Sequence, residues 1–302
     1  MRWTEQGLVN VYIKRKSRCT PHNAVTLLIA VLALAGYSPD VISHATCPDN
    51  ALISNLPVQL AFDGSAHDCS GSGFTTVMPD AGTAANSSYD AAAVATGGLL
   101  RITTTAGDPY ESLNTQQNAL AVRVDASAPI EIRASLGLPL GAAEDWDSTG
   151  LWMGLGEDNY VKLVAGASGL ELVVEENAVF GGAGRSALTP IAYDPASTRL
   201  MLTMKFGPGQ GTAGAGKVEA FYGFDGGPPQ SAGTLTTVPA GFFTAASHAG
   251  VIQTNVGNST PLVTAYDVFT VTAGPDTTAP SDPGGLTATP GANNVILGWA
   301  PG

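Results

Sequence analysis

The stretch that decides the fold reads Gly-Leu-Trp-Met-Gly-Leu-Gly-Glu-Asp-Asn-Tyr-Val-Lys-Leu-Val, residues 150–164. Leu151, Met153 and Leu155 recur at every second position, which is the period of a strand with two distinct faces. The acidic turn residues 157–159 follow, and a second alternating run comes after them. The pattern predicts two adjacent antiparallel strands joined by a tight turn.

Comparable alternating runs recur along most of the chain. Turn residues separate them, and the 37 Gly and 20 Pro among 302 residues disfavour long helices. About ten strands over this length predict an all-β sandwich of two antiparallel sheets across residues 56–273. The runs are 99–104, 119–124, 130–136, 151–155, 160–164, 170–175, 199–206, 218–224, 249–254 and 264–272.

The acidic charge balance argues against nucleic acid as a partner. Only 13% of the residues are charged, and the formal net charge is −12. Proteins that bind nucleic acid need clustered Lys and Arg to neutralise phosphates. We therefore expect no nucleic-acid partner.

The first 45 residues are predicted to be an export signal. A basic stretch at 14–18 precedes an apolar run at 24–36, which is too short to cross a bilayer as a helix and typical of a signal-peptide core. Ser43 and Ala45 supply small residues for a cleavage site. We expect a secreted or cell-surface protein with no membrane span after signal removal and an N-terminal tail at 46–55. The alternative is an uncleaved N-terminal anchor or a misassigned start of the chain.

Two cysteines would remain after cleavage, Cys47 and Cys69. An even pair in an exported chain predicts a disulfide. Closing a loop of about twenty residues would stabilise the fold by roughly 3 kcal/mol. Two free thiols are the alternative.

The composition changes near the C-terminus. Residues 274–284 have the Pro, Thr and Gly content of an exposed linker. Residues 285–302 resemble the first two strands of a fibronectin type III domain, with Trp299 at its buried tryptophan position. Two strands cannot bury a core alone. We therefore expect neighbouring domains in a longer natural chain.

Residues 150–164 also resemble the signature hairpin of bacterial concanavalin A-like, laminin G-type modules. Further stretches of the chain resemble the opening, late and closing strands of that family, at 60–64, 240–251 and 266–271. The resemblance implies a concanavalin-like jelly-roll sandwich. It also implies an accessory module of large exported bacterial proteins, found beside fibronectin type III, carbohydrate-binding or sugar-active catalytic domains.

Three side chains of the hairpin are candidate ligand-binding residues: Trp152, Tyr160 and Lys162. On the concave sheet they would offer aromatic platforms and a charged donor to a carbohydrate or another surface polymer. In the alternative, Trp152 and Tyr160 fill the core and Lys162 pairs with Glu157 or Asp158.

Two pairs of aspartates are candidate ligands for a structural Ca²⁺. Asp145 and Asp147 lie in an acidic loop, and Asp63 and Asp267 lie in the first and last strands. Carboxylate oxygens are the ligands that Ca²⁺ prefers. Solvated turns are the alternative for each pair.

The sequence offers few candidate catalytic residues. Glycosidases on this fold use two or three carboxylates along one strand. Glu171 and Glu175 share a strand face, but Val173 stands between them. The sequence therefore predicts that the chain is not an enzyme and is a binding or adhesion module. A spacer with no ligand is the alternative, and a glycoside hydrolase is a third interpretation.

Overall fold

The computed structural model describes most of the chain between residues 52 and 275. The described residues are 52–53, 55–65, 69–79, 93–104, 107–141, 146–256 and 260–275, together with the backbone of 287–290 and 295–298. The predicted export signal, Cys47, Asp145 and most of the predicted linker lie outside them.

Strands dominate the described residues, which otherwise contain only three short 3-10 helices, at Cys69–Gly71, Thr212–Gly214 and Ala240–Phe242. The strands are β1 Leu52–Ile53, β2 Val58–Leu60, β3 Thr76–Val77, β4 Ala93–Thr96, β5 Leu99–Thr104, β6 Leu120–Val124, β7 Ile130–Gly137, β8 Ser148–Gly156, β9 Asn159–Gly166, β10 Gly169–Glu176, β11 Val179–Phe180, β12 Ser186–Thr189, β13 Arg199–Gly207, β14 Gly216–Phe224, β15 Gln230–Val238, β16 Ser247–Thr254, β17 Leu262–Ala273, β18 Thr287–Pro290 and β19 Val295–Gly298.

Two large sheets form the body of the protein. Sheet A has nine strands, in the order β1-β6-β16-β8-β9-β10-β11, with β12 paired to β10 and β3 to β6. Sheet B has eight, in the order β15-β14-β13-β7-β17-β5-β4, with β2 paired to β17. Every pairing is antiparallel except that of β1 with β6. The predicted all-β sandwich of two antiparallel sheets is confirmed.

The main hydrophobic core lies between the sheets. It takes alternate residues from both, for example Leu163 and Leu172 from sheet A and Ile132 and Leu202 from sheet B, all fully buried. Removing this apolar surface from water is the main force that stabilises the sandwich.

The hairpin predicted at 150–164 is confirmed as β8 and β9, paired antiparallel. Leu151 and Met153 enter the main core as their alternation predicted. Leu155 was predicted on the same face, but it is 36% exposed. The ladder shifts register at this position, and such a bulge redirects the side chain.

The outer face of sheet A, which points away from the main core, carries a second apolar cluster. Residues 107–118, hereafter the covering loop, cross this face and close over it. The loop is tied down by its own polar groups: the Asn114 side-chain amide donates to Asp158 at 2.7 Å, and the Gln116 side-chain amide lies 3.1 Å from Met78 Sδ. The cluster consists of Met78, Ala119, Ala121, Trp152, Tyr160, Val164 and Ile252.

The two C-terminal strands β18 and β19 pair with each other. A strand pair was expected here, but its assignment to a fibronectin type III domain stays a prediction. Among the described residues no helix is both long and apolar enough to span a membrane.

Candidate functional site

The register of sheet A determines which side chains meet on its outer face. Lys162 on β9 lies between Trp152 on β8 and Val173 on β10. One row along, Tyr160 lies beside Glu175. The three predicted binding residues therefore share one face, as their alternation requires.

Trp152 and Tyr160 are nonetheless fully buried beneath the covering loop. The Tyr160 hydroxyl lies 3.0 Å from the Pro109 carbonyl oxygen of that loop. A sugar ring could stack on either aromatic side chain only after the loop had moved away. Both side chains instead fill the small second core, which lies outside the sandwich interior.

Beside this second core lies an open cleft of about 300 Å³. Strands β9, β10 and β11 form its floor, and the covering loop and the residues just before β8 form its walls. The side chains that carry its chemistry are Asp108, Tyr110, Trp146, Lys162, Glu171 and Phe180.

The rim of the cleft is aromatic. Trp146 is 71% exposed and Tyr110 is 42% exposed. The Tyr110 ring packs against Phe180, with 5.0 Å between ring centroids and 50° between the planes. A tryptophan this exposed leaves most of a large apolar surface in water, which is typical of a side chain that stacks on a ligand.

Lys162 lies at the floor of the cleft and is only 5% exposed. Its Nζ lies 5.0 Å from the centroid of the Phe180 ring, within cation–π range. Burial lowers the pKa of this ammonium, and the nearby carboxylates of Glu171, Asp108 and Glu175 oppose that shift. The alternative, in which Lys162 pairs with Glu157 or Asp158, is not seen among the ion pairs of the described residues.

Two carboxylates face the same space. Glu171 is half-buried on β10 and diagonal to Lys162 across the strand pair. Asp108 belongs to the covering loop, where its Oδ1 accepts a hydrogen bond from the Tyr110 N–H at 2.9 Å. Burial raises the pKa of Asp108, and the Tyr110 N–H and Lys162 partly offset that shift.

Glu175 shares the outer face with Glu171 but lies outside the cleft, under the covering loop. Its Oε2 accepts a hydrogen bond from the Glu111 N–H at 3.1 Å and lies 3.0 Å from the Tyr160 hydroxyl. Burial raises the pKa of Glu175 to about 7. The two glutamates considered as a hydrolytic pair thus differ sharply in solvent access.

The predicted calcium ligands are dispersed. Asp63 accepts hydrogen bonds from Ser65, and Asp267 forms a 2.8 Å ion pair with Arg199. Asp147 is buried, and Asp145 lies outside the described residues. Among the described residues no group of three His, Cys, Asp or Glu could hold a metal ion. The calcium site stays a prediction without support from these residues.

The predicted disulfide also stays a prediction. Cys69 begins a 3-10 helix and is buried in the main core. Its predicted partner Cys47 lies outside the described residues.

A second cleft, of about 350 Å³, lies at another part of the sandwich, between Leu138, Gly166 and Tyr193. Among the described residues that line it, the one carboxylate is Asp194, which accepts a hydrogen bond from the Ala196 N–H within its own turn. The described lining of the sheet A cleft holds a lysine and two carboxylates, so that cleft is the better candidate for polar recognition.

Comparison with known proteins does not assign the chain to a family. No protein-family model matches it, and no curated protein sequence does. Solved structures that align with it include the GH43 BlXynB protein from Bacillus licheniformis, at 18% identity and a TM-score of 0.44, over 58% of this chain and 33% of that one. A xylan beta-1,4-xylosidase from Bacillus halodurans aligns at 14% identity and 0.43, over 58% and 32%.

A protein of unknown function from Shewanella oneidensis aligns over more of both chains, 86% of this one and 96% of the other, at 11% identity and a TM-score of 0.43. By contrast, this chain spans about a third of the length of the two hydrolases. At these identities and TM-scores the likeness assigns no activity.

One prediction is corrected by this comparison. The sequence was interpreted as that of a non-enzyme, yet several of the aligned structures are GH43 glycoside hydrolases. The exclusion of enzymes is therefore withdrawn. The concanavalin-like kinship remains a resemblance.

Sequence reasoning found Lys162 and considered Glu171 as a catalytic carboxylate, but it missed Asp108, Tyr110, Trp146 and Phe180. Trp146 lies between the two aspartates of the acidic loop, Asp145 and Asp147, and Tyr110 and Phe180 lie in segments with no alternating pattern. Each of these aromatic residues has Asp, Pro, Ser or Gly within two positions, a setting that is common in ordinary turns.

Proposed function

We propose that the sheet A cleft binds carbohydrate. The observation that carries the proposal is the 71% exposed Trp146 at the mouth of a cleft that also holds a buried lysine and two carboxylates. The glycoside hydrolases among the aligned structures agree with a carbohydrate-related role but do not carry the argument.

Sugars present two kinds of surface, and the cleft offers a partner for each. The C–H face of a pyranose ring is apolar and stacks on an aromatic ring, for which Trp146 and Tyr110 are available. The hydroxyl groups need directional donors and acceptors, for which Lys162, Glu171 and Asp108 are available.

Export would bring the cleft to its ligand. We propose that residues 1–45 direct the chain out of the cytoplasm, where polysaccharides of cell walls and surfaces are found. Detection of the protein outside the cytoplasm, with its N-terminus at residue 46, would support this. Retention in the cytoplasm with the first 45 residues intact would contradict it.

Affinity electrophoresis and calorimetry with plant and microbial polysaccharides test the binding proposal. We expect Trp146→Ala to weaken binding at least about tenfold, because a central aromatic contact is worth more than 1 kcal/mol. Phe221→Ala is the matched control, since this partly exposed aromatic residue lies on sheet B. Equal binding by the wild type and the Trp146 variant would refute the site. No binding to any polysaccharide would favour a spacer.

A further inference from the structure

The floor of the cleft holds a charged donor without an acceptor. Lys162 is 5% exposed, and within the described part of the chain its ammonium makes no hydrogen bond and no ion pair within 4.0 Å. Its Nζ lies over the π face of Phe180, 5.0 Å from the ring centroid. Because this ammonium faces the open cleft, a ligand in the cleft can accept hydrogen bonds from it.

Glu171 is the complementary group. Its half-buried carboxylate lines the same cleft and, within the same described residues, accepts no hydrogen bond and joins no ion pair. The two charges are near enough for Glu171 to be the strongest electrostatic partner of Lys162, yet they are more than 4.0 Å apart. The cleft therefore separates a donor from an acceptor, and each faces it with hydrogen-bonding capacity unused.

On the basis of the proposed carbohydrate function, we infer that the cleft selects neutral sugars by a pair of hydroxyl groups bound between Lys162 and Glu171. A hydroxyl group both donates and accepts, so one hydroxyl of a vicinal pair can accept from Lys162 while the other donates to Glu171. Hydrogen bonds to charged groups are about twice as strong as neutral ones.

Charged sugars fit this arrangement worse. A uronate carboxylate would accept from Lys162 but would meet Glu171 and Asp108 at the same time. An amino sugar would satisfy the carboxylates but would approach the Lys162 ammonium. Like charges in a partly desolvated cleft repel strongly. Lys162 and Glu171 together therefore disfavour both anionic and cationic sugars.

The role of Phe180 follows from its position. The Lys162 ammonium lies over the face of the Phe180 ring. The Phe180 ring packs in turn against Tyr110 on the covering loop. Phe180 is thus a positioning residue for the donor. The same lysine–phenylalanine geometry recurs on sheet B, where Lys205 Nζ lies 5.0 Å from the Phe221 centroid. Because Lys205 also faces Glu131 at 3.7 Å, that copy is already paired and provides a matched control.

The experiment measures the affinity of the whole chain for four probes: xylohexaose and cellohexaose as neutral ligands, a galacturonic acid hexamer, and a glucosamine hexamer. At about pH 6 the galacturonic acid hexamer is anionic and the glucosamine hexamer is cationic. We expect the wild type to prefer a neutral hexamer at least about tenfold over both charged ones. Lys162→Met and Glu171→Gln should each weaken neutral binding at least about tenfold, whereas Lys205→Met and Glu219→Gln should not.

The outcomes separate the two proposals. Binding that is lost in Trp146→Ala but unchanged in both Lys162→Met and Glu171→Gln would overturn the hydroxyl-pair inference and leave the carbohydrate site standing. Preference for the anionic or the cationic hexamer would also overturn it. No binding of any probe by the wild type would overturn both. Glu171→Gln is isosteric at a half-exposed position, so it keeps the test valid even if Lys162→Met fails to fold.

Discussion

The hydroxyl of Tyr160 lies 3.0 Å from Glu175 Oε2 and 3.0 Å from the Pro109 carbonyl oxygen. One hydroxyl proton can serve only one of these two acceptors. When Glu175 is protonated, its carboxyl group donates to Tyr160, and Tyr160 donates to Pro109. The protonated carboxyl group therefore allows both of these contacts to form at once, including the one between sheet A and the covering loop.

Replacing Glu175 should change how stability depends on pH. Burial raises the pKa of Glu175 from 4.5 to about 7, so the native state retains a proton that the unfolded state has lost. Stability contributed by this group therefore falls as pH rises from about 4.5 through about 7. Glu175→Gln should remove this loss and be more stable than the wild type at pH 8, by up to about 3 kcal/mol. Urea unfolding at pH 5 and pH 8 measures the difference; a variant less stable than the wild type at both would contradict the argument.

His248 should have the opposite effect. Its ring stacks near Trp152, at 6.5 Å and 14°, and burial together with Arg123 lowers its pKa from 6.5 to about 4. The unfolded state therefore binds the extra proton first, and stability falls as pH drops from about 6.5 to about 4. In the wild type this slope opposes that of Glu175. His248→Gln should remove this opposing slope, so that stability falls more steeply with rising pH in urea unfolding between pH 4 and 7 than it does in the wild type. A stability curve in that range identical to that of the wild type would be inconsistent with the buried histidine.

The two tryptophans of the described chain should behave as opposites in a stability assay. Trp152 is fully buried, and Trp152→Ala should cost about 3–5 kcal/mol because it leaves a cavity in the second core. Trp146 is largely exposed, so Trp146→Ala should change stability by less than about 0.5 kcal/mol. Thermal unfolding followed by circular dichroism checks both. A large loss for Trp146→Ala would indicate a structural role in place of a ligand-binding one.

A buried hydroxyl pair joins the two sheets. The Tyr266 hydroxyl on β17 hydrogen-bonds to the Thr149 hydroxyl on β8, and both residues are fully buried. Tyr266→Phe leaves Thr149 without this partner and should cost about 1–3 kcal/mol. Tyr222→Phe provides the control, because that hydroxyl contacts Gln230 at an exposed site and should cost little. Equal unfolding free energies for the two variants would argue against the buried contact.

Local patterns predicted much of the sandwich. Each of the ten alternating runs corresponds to an observed strand, because a period of two both selects an extended backbone and marks the buried face. The assignment of Trp152 and Lys162 to the face opposite Leu151 followed from the same rule. Strand β15 was missed, because Gln230–Val238 contains Ser, Gly and three Thr residues and shows little alternation.

The candidate site was less predictable, because it depends on contacts between residues distant in sequence. Nothing in residues 107–118 indicates that they cover sheet A; the anchoring partners are Tyr160, Asp158 and Glu175. Because the covering loop buries Trp152 and Tyr160, these two residues form a second core and are not exposed as the predicted sugar platforms. Trp146, by contrast, stays exposed. Burial of this kind becomes evident only when the loop is placed in three dimensions.

Hydrogen–deuterium exchange with and without a bound neutral hexasaccharide tests the proposed cleft most directly. Ligand binding should slow exchange in peptides that contain residues 108–111, 146–148 and 179–181, and should leave sheet B strands such as β14 unchanged. A binding-competent protein whose protection appeared on sheet B, or at the Leu138–Tyr193 cleft, would show that sugar recognition takes place elsewhere.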